Sequence, residues 1–263
     1  MSWWKRAAAR AVSECSAVGV ALRGPRPGFR VLLYHAIGSC VASDSYGFSV
    51  PPARFAQQME ALRSREDLEI VSLTDGLRST SRLRLAVTFD DGYKDTLTTA
   101  VPTLLQYRIP FTVFATPGLL GSSRDYLTPG ELREVAGCPG VTIGSHGLTH
   151  APLSACADEA LRQELEDSRR QLEDLLGRPV TALAYPHGSV DQRVRRAAAE
   201  AGYRVGACSR SNINEADRDP LLLGRTEVIG ADSQRVFSQK LDGAWDWARW
   251  RSPDPAVMTE RLN

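Results

Sequence analysis

The chain has no long apolar run and few cysteines. The first absence argues against a membrane-spanning protein, and the second argues against a disulfide-rich secreted protein. None of its 263 residues lies in an apolar stretch long enough for a membrane-spanning helix. Its five cysteines, which are Cys15, Cys40, Cys138, Cys156 and Cys208, form no Cys-x-x-Cys pair. An odd and scattered set of thiols favours a reducing compartment over a disulfide-linked secreted protein. We therefore expect a cytoplasmic protein with free thiols.

The chain also lacks an excess of charge of either sign. Its formal net charge is +1, and its lysines and arginines are interspersed with aspartates and glutamates. Proteins that bind nucleic acids present a basic face, often with interleaved aromatic residues, and no such stripe is visible here. The composition therefore disfavours a role in nucleic-acid binding.

Residues 1–28 form a leader that differs from the rest of the chain. It begins with Trp3-Trp4-Lys5-Arg6 and ends in a Gly-Pro-Arg-Pro-Gly cluster that breaks regular structure. Glu14 interrupts the only candidate for the apolar core of a signal peptide, so we expect no export signal. A basic helix lying on a membrane surface is one hypothesis for this leader. A flexible segment, or a helix docked on the main body, is the commoner use of such a sequence.

Residues 29–243 alternate short apolar runs with amphipathic helical patterns and contain no linker. Strands are expected at 31–35, 70–73, 84–89, 111–115, 141–144, 182–185, 203–207 and 225–229. This alternation is typical of a parallel sheet crossed by helices, and we expect a distorted α/β fold, a (β/α) barrel of about seven parallel strands. Residues 244–263 follow as a tail that contains Trp245, Trp247 and Trp250.

Residues with useful chemistry concentrate where the expected strands end. They are the four histidines His35, His146, His150 and His187 and the adjacent aspartates Asp90 and Asp91. In a (β/α) barrel, functional groups lie at the carboxyl ends of the strands. Burying an unpaired carboxylate costs free energy. Two carboxylates at the end of a buried strand therefore indicate a bound cation, a shared proton or a catalytic role. Taken alone, however, an Asp-Asp-Gly turn can simply cap the next segment.

His146 and His150 are four residues apart and follow a Gly-Ser turn. On one helical turn, both imidazoles would face the same point. With Asp91 as a third ligand they would form a set of two histidines and one carboxylate. Such a set leaves coordination positions open for water and substrate, as catalytic metal sites do. For the histidine pair by itself, two surface or capping histidines remain an alternative.

Three segments carry a resemblance to a known family: Thr-Phe-Asp-Asp-Gly at 88–92, Ser-His-Gly-Leu-Thr-His at 145–150 and Tyr-Pro-His-Gly at 185–188. In this order, at the ends of three strands, they resemble the first three motifs of the polysaccharide deacetylase family. This family is also called the NodB-homology domain or carbohydrate esterase family 4. The resemblance extends from about residue 30 to residue 243 and implies a metal-dependent hydrolase that acts on acetylated carbohydrates.

The resemblance also implies roles for individual residues. Asp90 corresponds to the general base, and Asp91, His146 and His150 correspond to the ligands of one divalent ion. Zinc is the first expectation for that ion, and cobalt, nickel or manganese are alternatives. A carboxylate that is not a ligand can take the proton of a water molecule that the metal acidifies. The segment Tyr185, Pro186, His187 and Gly188 is expected to face the substrate, with the backbone N–H of His187 as an oxyanion donor.

The chain departs from the family pattern at two points. It has no histidine after His187, whereas most members carry the acid histidine near the C-terminus. His35 is similar to the acid of a circularly permuted branch, the poly-N-acetylglucosamine deacetylases, and the first and last strands of a barrel are neighbours. At the second point, Ala184 stands where many members have an arginine that orients the base. Arg225 is the candidate replacement, because the permuted branch often carries an arginine there.

Together these expectations describe a hydrolase that removes N-acetyl groups from the acetylated amino sugars of a polysaccharide, oligosaccharide, glycolipid or glycosylated small molecule. An O-acetyl esterase acting on carbohydrate would use the same groups. A barrel that binds sugar without catalysis is the alternative from another class. The presence of an acid, a base and a set of metal ligands favours an enzyme.

Overall fold

Strands and helices alternate along almost the whole of the computed structural model, which describes residues 3–24, 26–39 and 47–251. Within these residues the α-helices are α1 Trp3–Arg23, α2 Pro52–Arg63, α3 Val101–Gln106, α4 Pro129–Gly137, α5 Asp158–Leu176, α6 Gln192–Glu200 and α7 Gln234–Asp242. The strands are β1 Gly28–Tyr34, β2 Leu68–Ile70, β3 Leu83–Phe89, β4 Phe111–Ala115, β5 Val141–Ser145, β6 Ala182–Ala184, β7 Val205–Ala207 and β8 Thr226–Glu227.

All strands join one parallel sheet that curls into a half-barrel. Seven of them follow in the order β7-β6-β5-β4-β3-β1-β8, and β2 pairs separately with β3. The last strand, β8, pairs with the first, β1, through only two residue pairs. Leu223, just before β8, forms a single parallel bridge to Ala207 of β7 and so brings the two ends of the row together. The expected (β/α) barrel of about seven parallel strands is confirmed.

The apolar core lies on both faces of the sheet, as expected for parallel strands covered by helices. All residues of β3 and β4 are buried. The larger cluster fills the space between the sheet and the surrounding helices, and a smaller cluster that includes Phe29, Phe114 and Ala184 occupies the inside of the half-barrel. Successive side chains of a strand point to opposite faces, so even-numbered residues of β3 and β4 point inward.

The strand predicted at 70–73 differs from the structure in its position. It is instead β2, which ends at Ile70, because the Ser72 side chain accepts a hydrogen bond from the Asp75 N–H and starts a short 3₁₀ turn. The helical segment around Pro102 has two parts. A π-helix spans Thr96–Ala100, and Pro102 falls in the first turn of α3, where its missing N–H has no helical partner to lose.

The two ends of the described chain pack together. The indole N–H of Trp247 donates a hydrogen bond of 2.9 Å to the Ser13 hydroxyl of α1. Arg30, which is almost fully buried in β1, donates to both carboxylate oxygens of Asp246 at 2.8 and 3.0 Å. Trp245 stacks on Trp247, with ring centroids 6.2 Å apart. These contacts place α1 and the 3₁₀ segment Asp246–Arg251 on the same side of the body.

Four of the five cysteines lie in the described part of the chain. Cys15 is exposed, Cys138 and Cys156 are half-buried and Cys208 is buried, whereas Cys40 lies outside the described residues.

Among the described residues, no helix is both long enough and apolar enough to cross a membrane.

Candidate active site

The candidate site lies at the carboxyl ends of β1, β3 and β5, where the strands give way to loops. Tyr34 and Phe89 are paired in register as the last residues of β1 and β3, so His35 and Asp90 follow at the same level. The Asp90 N–H still donates to the Tyr34 carbonyl at 3.0 Å, and the His146 N–H donates to the Ala115 carbonyl at 2.9 Å. His35, Asp90 and His146 each continue the inward-pointing series of their strand, so their side chains converge at the barrel mouth.

Asp90 is held by a buried arginine. Its two carboxylate oxygens accept hydrogen bonds from Nη1 and Nη2 of Arg225, both at 2.7 Å. The Arg225 side chain has no exposed surface, and Asp90 is 2% exposed. Burial opposes ionisation of Asp90, but the charges of Arg225 and His146 outweigh it and lower the pKa of this carboxyl group. The pair is therefore ionised and fixed in one orientation at neutral pH.

Arg225 reaches Asp90 from β8, the end strand of the row, which is separated from β3 by β1 alone. It precedes β8, and because Thr226 pairs with Leu32, Arg225 lies at the level of the inward-pointing Val31. Its Nε donates to the Cys208 carbonyl at 2.9 Å, and its guanidinium lies 5.6 Å from the centroid of the Phe114 ring. The guanidinium thus occupies the inside of the half-barrel.

Small side chains around Arg225 leave room for it. Ala184, where an arginine was expected from the family pattern, is fully buried in the cluster inside the half-barrel, together with Ala182 and Ala207. No arginine side chain enters from β6, whose sequence is Ala182-Leu183-Ala184. The structure therefore supplies the guanidinium from residue 225.

Asp91, His146 and His150 form a compact group whose ligand atoms all lie within 4.8 Å of one another. Oδ1 of Asp91 is 3.4 Å from Nε2 of His146 and 3.3 Å from Nε2 of His150. Although it is buried, this oxygen makes no hydrogen bond of good geometry within the described chain. Nδ1 of His146 lies 2.8 Å from the Ala184 carbonyl, which fixes the proton there and turns the Nε2 lone pair toward Asp91.

Several residues at the barrel mouth have a strained backbone. Four non-glycine residues of the described chain have positive φ angles, and three of them are Asp91 at 71°, His150 at 68° and His187 at 58°. A residue in this region costs of order 1–3 kcal/mol and persists where the surroundings impose it, often at functional sites. The strain is therefore concentrated at the barrel mouth.

The charges of this group match the requirements of a divalent cation. Burial disfavours the charge of Asp91, but the contacts with His146 and His150 outweigh it and hold the pKa of Asp91 well below its usual range. Burial also opposes protonation of His146, yet the carboxylates of Asp90 and Asp91 raise its pKa. An ionised carboxylate and two imidazole nitrogens that face one point, with an orphaned buried oxygen among them, fit one divalent metal ion.

The loop that carries the two histidines is not the helical turn that the sequence predicted. Gly147 has a φ of +72°, and the N–H groups of Leu148 and Thr149 donate to Oε2 of Glu164 at 2.7 and 3.1 Å rather than to carbonyls of a helix. The Thr149 hydroxyl donates to Oε1 of Glu164 at 2.5 Å. That prediction was wrong because the loop takes its hydrogen bonds from α5. The imidazoles of His146 and His150 nevertheless lie close together, with ring centroids 4.9 Å apart.

Sequence reasoning missed Glu164, although α5 contains a signal for it. Glu164 is 7% exposed and falls between Leu161 and Leu165 on the apolar face of an otherwise amphipathic helix. A carboxylate on a buried helical face must have a polar partner. Its spacing within α5 therefore indicates a structural task, which is to hold the loop 145–150.

His35 lies at the same mouth as Asp90 and Asp91. It is half-buried, and its ring stacks on Phe48 with centroids 4.4 Å apart and planes 18° apart. Its Nδ1 atom is buried and has no hydrogen-bond partner within the described chain. The charge of His35 is among the causes that lower the pKa values of both aspartates. The imidazole is thus close to the carboxylates and held in one plane.

The segment of the third motif contributes unequally to the site. Tyr185 is fully buried in the larger cluster outside the half-barrel, where its hydroxyl donates to the Leu221 carbonyl, and its N–H donates to the Ala207 carbonyl. The Gly188 N–H donates to the Tyr185 carbonyl, and Pro186 has no N–H. Of the four expected substrate-facing residues, His187 remains the candidate that offers a backbone donor.

The side chain of His187 extends the histidine cluster. It is exposed, and its ring centroid lies 4.5 Å from that of His150. Burial of part of the ring and the neighbouring charge of His150 lower the pKa of His187. A neutral, exposed imidazole beside the candidate metal group is suited to contact a polar substrate.

Comparisons with known proteins identify one family. Residues 78–206, which contain all three motifs, match the model of the polysaccharide deacetylase family. The chain is 25% identical over 217 residues to YxkH of Bacillus subtilis, a provisionally named polysaccharide deacetylase, and this match covers 81% of the chain and 75% of YxkH. It is 33% identical over 122 residues to a peptidoglycan-N-acetylglucosamine deacetylase of Bacillus cereus. This second match covers 46% of the chain and 54% of that protein.

The fold is also shared with solved structures. The deacetylase PplD of Streptococcus pyogenes, determined in complex with acetate, superposes with a TM-score of 0.72 at 24% sequence identity. The superposition covers 82% of this chain and 99% of PplD. This likeness shows that the curled parallel sheet and its surrounding helices are common to both proteins.

Proposed function

Because this chain belongs to the polysaccharide deacetylase family and is by class a carbohydrate deacetylase, we propose that it hydrolyses the N-acetyl group of an acetylated amino sugar with one divalent metal ion. One observation carries the proposal. At one barrel mouth, a carboxylate fixed by Arg225 stands beside an Asp91–His146–His150 group whose central oxygen lacks a hydrogen-bond partner. The first carboxylate can move a proton, and the second group can hold a cation.

Asp91, His146 and His150 would hold the metal ion. When bound, such an ion polarises an acetyl carbonyl and lowers the pKa of a water molecule. Zinc suits two imidazoles and one carboxylate, and cobalt, nickel or manganese can use the same donors. The Ala184 carbonyl fixes the tautomer of His146, and Glu164 fixes the loop that presents both histidines.

Asp90 would act as the general base. Its low pKa keeps it ionised at neutral pH, so it can accept a proton from the water molecule that attacks the acetyl carbonyl. Arg225 orients both oxygens of this carboxylate and occupies no coordination position of the cation site. The orienting role that the family usually assigns to an arginine on the strand of the third motif would therefore belong to Arg225.

His35 would act as the general acid. The amine of the sugar must leave with a proton, and His35 stands beside the carboxylates at the end of β1 with its ring held against Phe48. The developing oxyanion would accept a hydrogen bond from the backbone N–H of His187. These two groups and Asp90 complete the acid, base and oxyanion requirements of amide hydrolysis.

An N-acetylated hexosamine is the substrate class that the relatives favour. The Bacillus cereus relative is named as a peptidoglycan-N-acetylglucosamine deacetylase, which supports N-acetyl over O-acetyl hydrolysis for this chain. An intracellular substrate, such as a nucleotide- or lipid-linked sugar, follows from the expectation of a reducing compartment.

The proposal is tested by mass spectrometry of products. Metal-loaded protein is incubated with an N-acetylglucosamine oligosaccharide and, separately, with acetylated xylan. Loss of acetyl mass from the first substrate alone is the expected result, and loss from xylan alone would favour the esterase alternative. Asp90→Asn should abolish the reaction while the bound metal remains near one ion per chain. Asp174→Asn makes the same chemical change on the exposed surface of α5 and should leave the rate unchanged.

A further inference from the structure

The outward face of α1 carries all of the exposed large apolar side chains of the described residues. These are Val12, Val18 and Leu22, which are 46%, 65% and 84% exposed. Scattered single apolar residues are normal on a protein surface, but a contiguous set on one helix marks a site of interaction. The face is not covered by the contacts that hold α1 to the body.

Helical geometry makes this face a continuous stripe. Ala11, Cys15, Val18 and Leu22 are all exposed and follow one another at spacings of four, three and four residues, so they lie along one side of α1. We call them, together with the adjacent Val12, the outer face. No charged residue belongs to it.

The body binds α1 through other sides of the helix. Ala9 and Ser13 are buried, and the Ser13 hydroxyl accepts the Trp247 hydrogen bond. Glu14 pairs with Arg235 of α7 along one flank. The outer face is therefore not required for docking of α1 on the protein.

The same segment concentrates positive charge. Residues 1–28 contain Lys5, Arg6, Arg10, Arg23 and Arg26 against the single acidic residue Glu14, which gives a net charge of +4, whereas the whole chain carries only +1. The basic residues lie toward both ends of α1, and the outer face lies between them. Two tryptophans, Trp3 and Trp4, begin the helix. Basic ends, tryptophans and an uncharged face are features of helices that lie in a membrane interface.

We propose that α1 seats this protein on a membrane surface that contains anionic lipid, with the outer face in contact with the acyl boundary. A second copy of the chain is the other occupant that an apolar helical face could have. In a parallel or an antiparallel pair of α1 helices, however, a basic end of one copy would meet a basic end of the other. Anionic headgroups neutralise both ends at once. Charge complementarity thus selects the lipid surface.

The proposal is tested by flotation of the full-length protein with vesicles of phosphatidylcholine, with or without phosphatidylserine. The protein should float only with the anionic vesicles, and high salt should weaken this binding because it screens the charges. Val18→Glu combined with Leu22→Glu should lower the partition coefficient between vesicles and water by about tenfold or more. Burial of one aliphatic side chain in the membrane raises this coefficient by about tenfold.

A matched control separates loss of the outer face from added negative charge. Ala160→Glu combined with Gln163→Glu adds the same two charges to the exposed side of α5 and should float like the unmodified protein. Val18→Ser combined with Leu22→Ser removes apolar area without adding charge and should also weaken flotation. Hydrolysis of a soluble oligosaccharide, or the circular dichroism spectrum, shows that each variant is folded.

Three results would overturn the proposal. The first is no flotation of the unmodified protein with anionic vesicles at low salt. The second is an equal loss for the α1 and α5 variants. The third is a concentration-dependent dimer in analytical ultracentrifugation that the α1 substitutions dissociate, which would assign the outer face to a second copy of the chain. Because flotation measures binding alone, each result stands whether or not the proposed hydrolysis is observed.

Discussion

Replacement of Arg225 by methionine tests the contact on which the proposed base depends. Methionine fills much of the same volume inside the half-barrel but removes the two 2.7 Å hydrogen bonds to Asp90 and the bond to the Cys208 carbonyl. Asp90 would remain buried without the guanidinium that pairs with both of its oxygens. The variant should therefore be less stable, and its Asp90 should ionise only at higher pH.

The size of the effect follows from the burial of both partners. Removing one member of a fully buried ion pair costs roughly 3–5 kcal/mol, because the remaining charge is left without a partner. Removing both charges is far less costly, so Asp90→Asn in the Arg225→Met background should recover part of the lost stability. A double-mutant cycle measured by urea unfolding gives the coupling free energy directly.

The pH dependence gives a second measurement. In the unmodified protein the pKa of Asp90 is lowered, so the ion pair stabilises the fold above the pKa of the unfolded carboxyl group, and this contribution is lost as the pH falls through the folded value. In Arg225→Met the guanidinium is gone and burial is opposed chiefly by the charge of His146, so the pKa of Asp90 is higher than in the unmodified protein and the variant gains less stability as the pH rises. The stability difference between the two proteins should thus be largest at neutral to alkaline pH and should narrow in acid.

Activity should follow the same titration. If Asp90 is the base, the acid limb of the kcat/KM profile moves to higher pH in Arg225→Met. Arg225→Lys keeps a positive charge but not the planar guanidinium, so its acid limb should lie between those of the unmodified protein and Arg225→Met. A loss of stability below about 1 kcal/mol, together with an unshifted acid limb, would refute the view that Arg225 holds and tunes the base.

The remaining predictions concern the metal group and the acid. His146→Ala should lose the bound metal, so elemental analysis should find well under one ion per chain while circular dichroism is retained. Glu164→Gln replaces an acceptor for the loop N–H groups with an amide, and metal affinity should fall by about tenfold to a hundredfold in a competition titration with a chelator; unchanged affinity would contradict its positioning role. His35→Gln should lower kcat by about 10²- to 10⁴-fold without changing metal content, whereas a loss of metal would point to a structural role. Removal of the metal with a chelator should abolish hydrolysis, and addition of zinc should restore it.

The fold could be predicted from the sequence because local patterns decide most of its elements. The strand predicted at 111–115 is found with those bounds. The capping box of Thr128 and Glu131 is present as the sequence indicates. Errors arose where a side chain competes with the regular pattern, as Ser72 does when it ends β2 early.

Parts of the candidate site were also accessible from the sequence. Carboxyl ends of parallel strands meet at one edge, so the proximity of His35, Asp90 and His146 follows from strand order alone. The loop conformation at 145–150 was not accessible, because its hydrogen-bond partner Glu164 belongs to the next helix. The bidentate contact of Arg225 depends on the exact register of a two-residue strand, which no local pattern determines.

The two departures from the family pattern have one structural setting. His35 immediately follows β1, and Arg225 immediately precedes β8, so the proposed acid and the group that holds the proposed base lie next to neighbouring strands. That pairing is short, and the buried Asn214 reinforces it. The Asn214 amide donates to the Phe29 carbonyl at 3.0 Å and to the Gly224 carbonyl at 2.9 Å, and its side-chain oxygen accepts from the Gly224 N–H at 2.8 Å.

Asn214 thereby ties the start of β1 to the residue before Arg225. A two-residue strand cannot hold an arginine side chain to a fraction of an ångström by its ladder bonds alone, since each backbone hydrogen bond contributes only about 1 kcal/mol. The three side-chain bonds of Asn214 and the bond from Arg225 to the Cys208 carbonyl supply the missing constraint. An arginine that holds Asp90 from this seam, rather than from within the sheet on β6, therefore needs additional polar contacts, and Asn214 provides them.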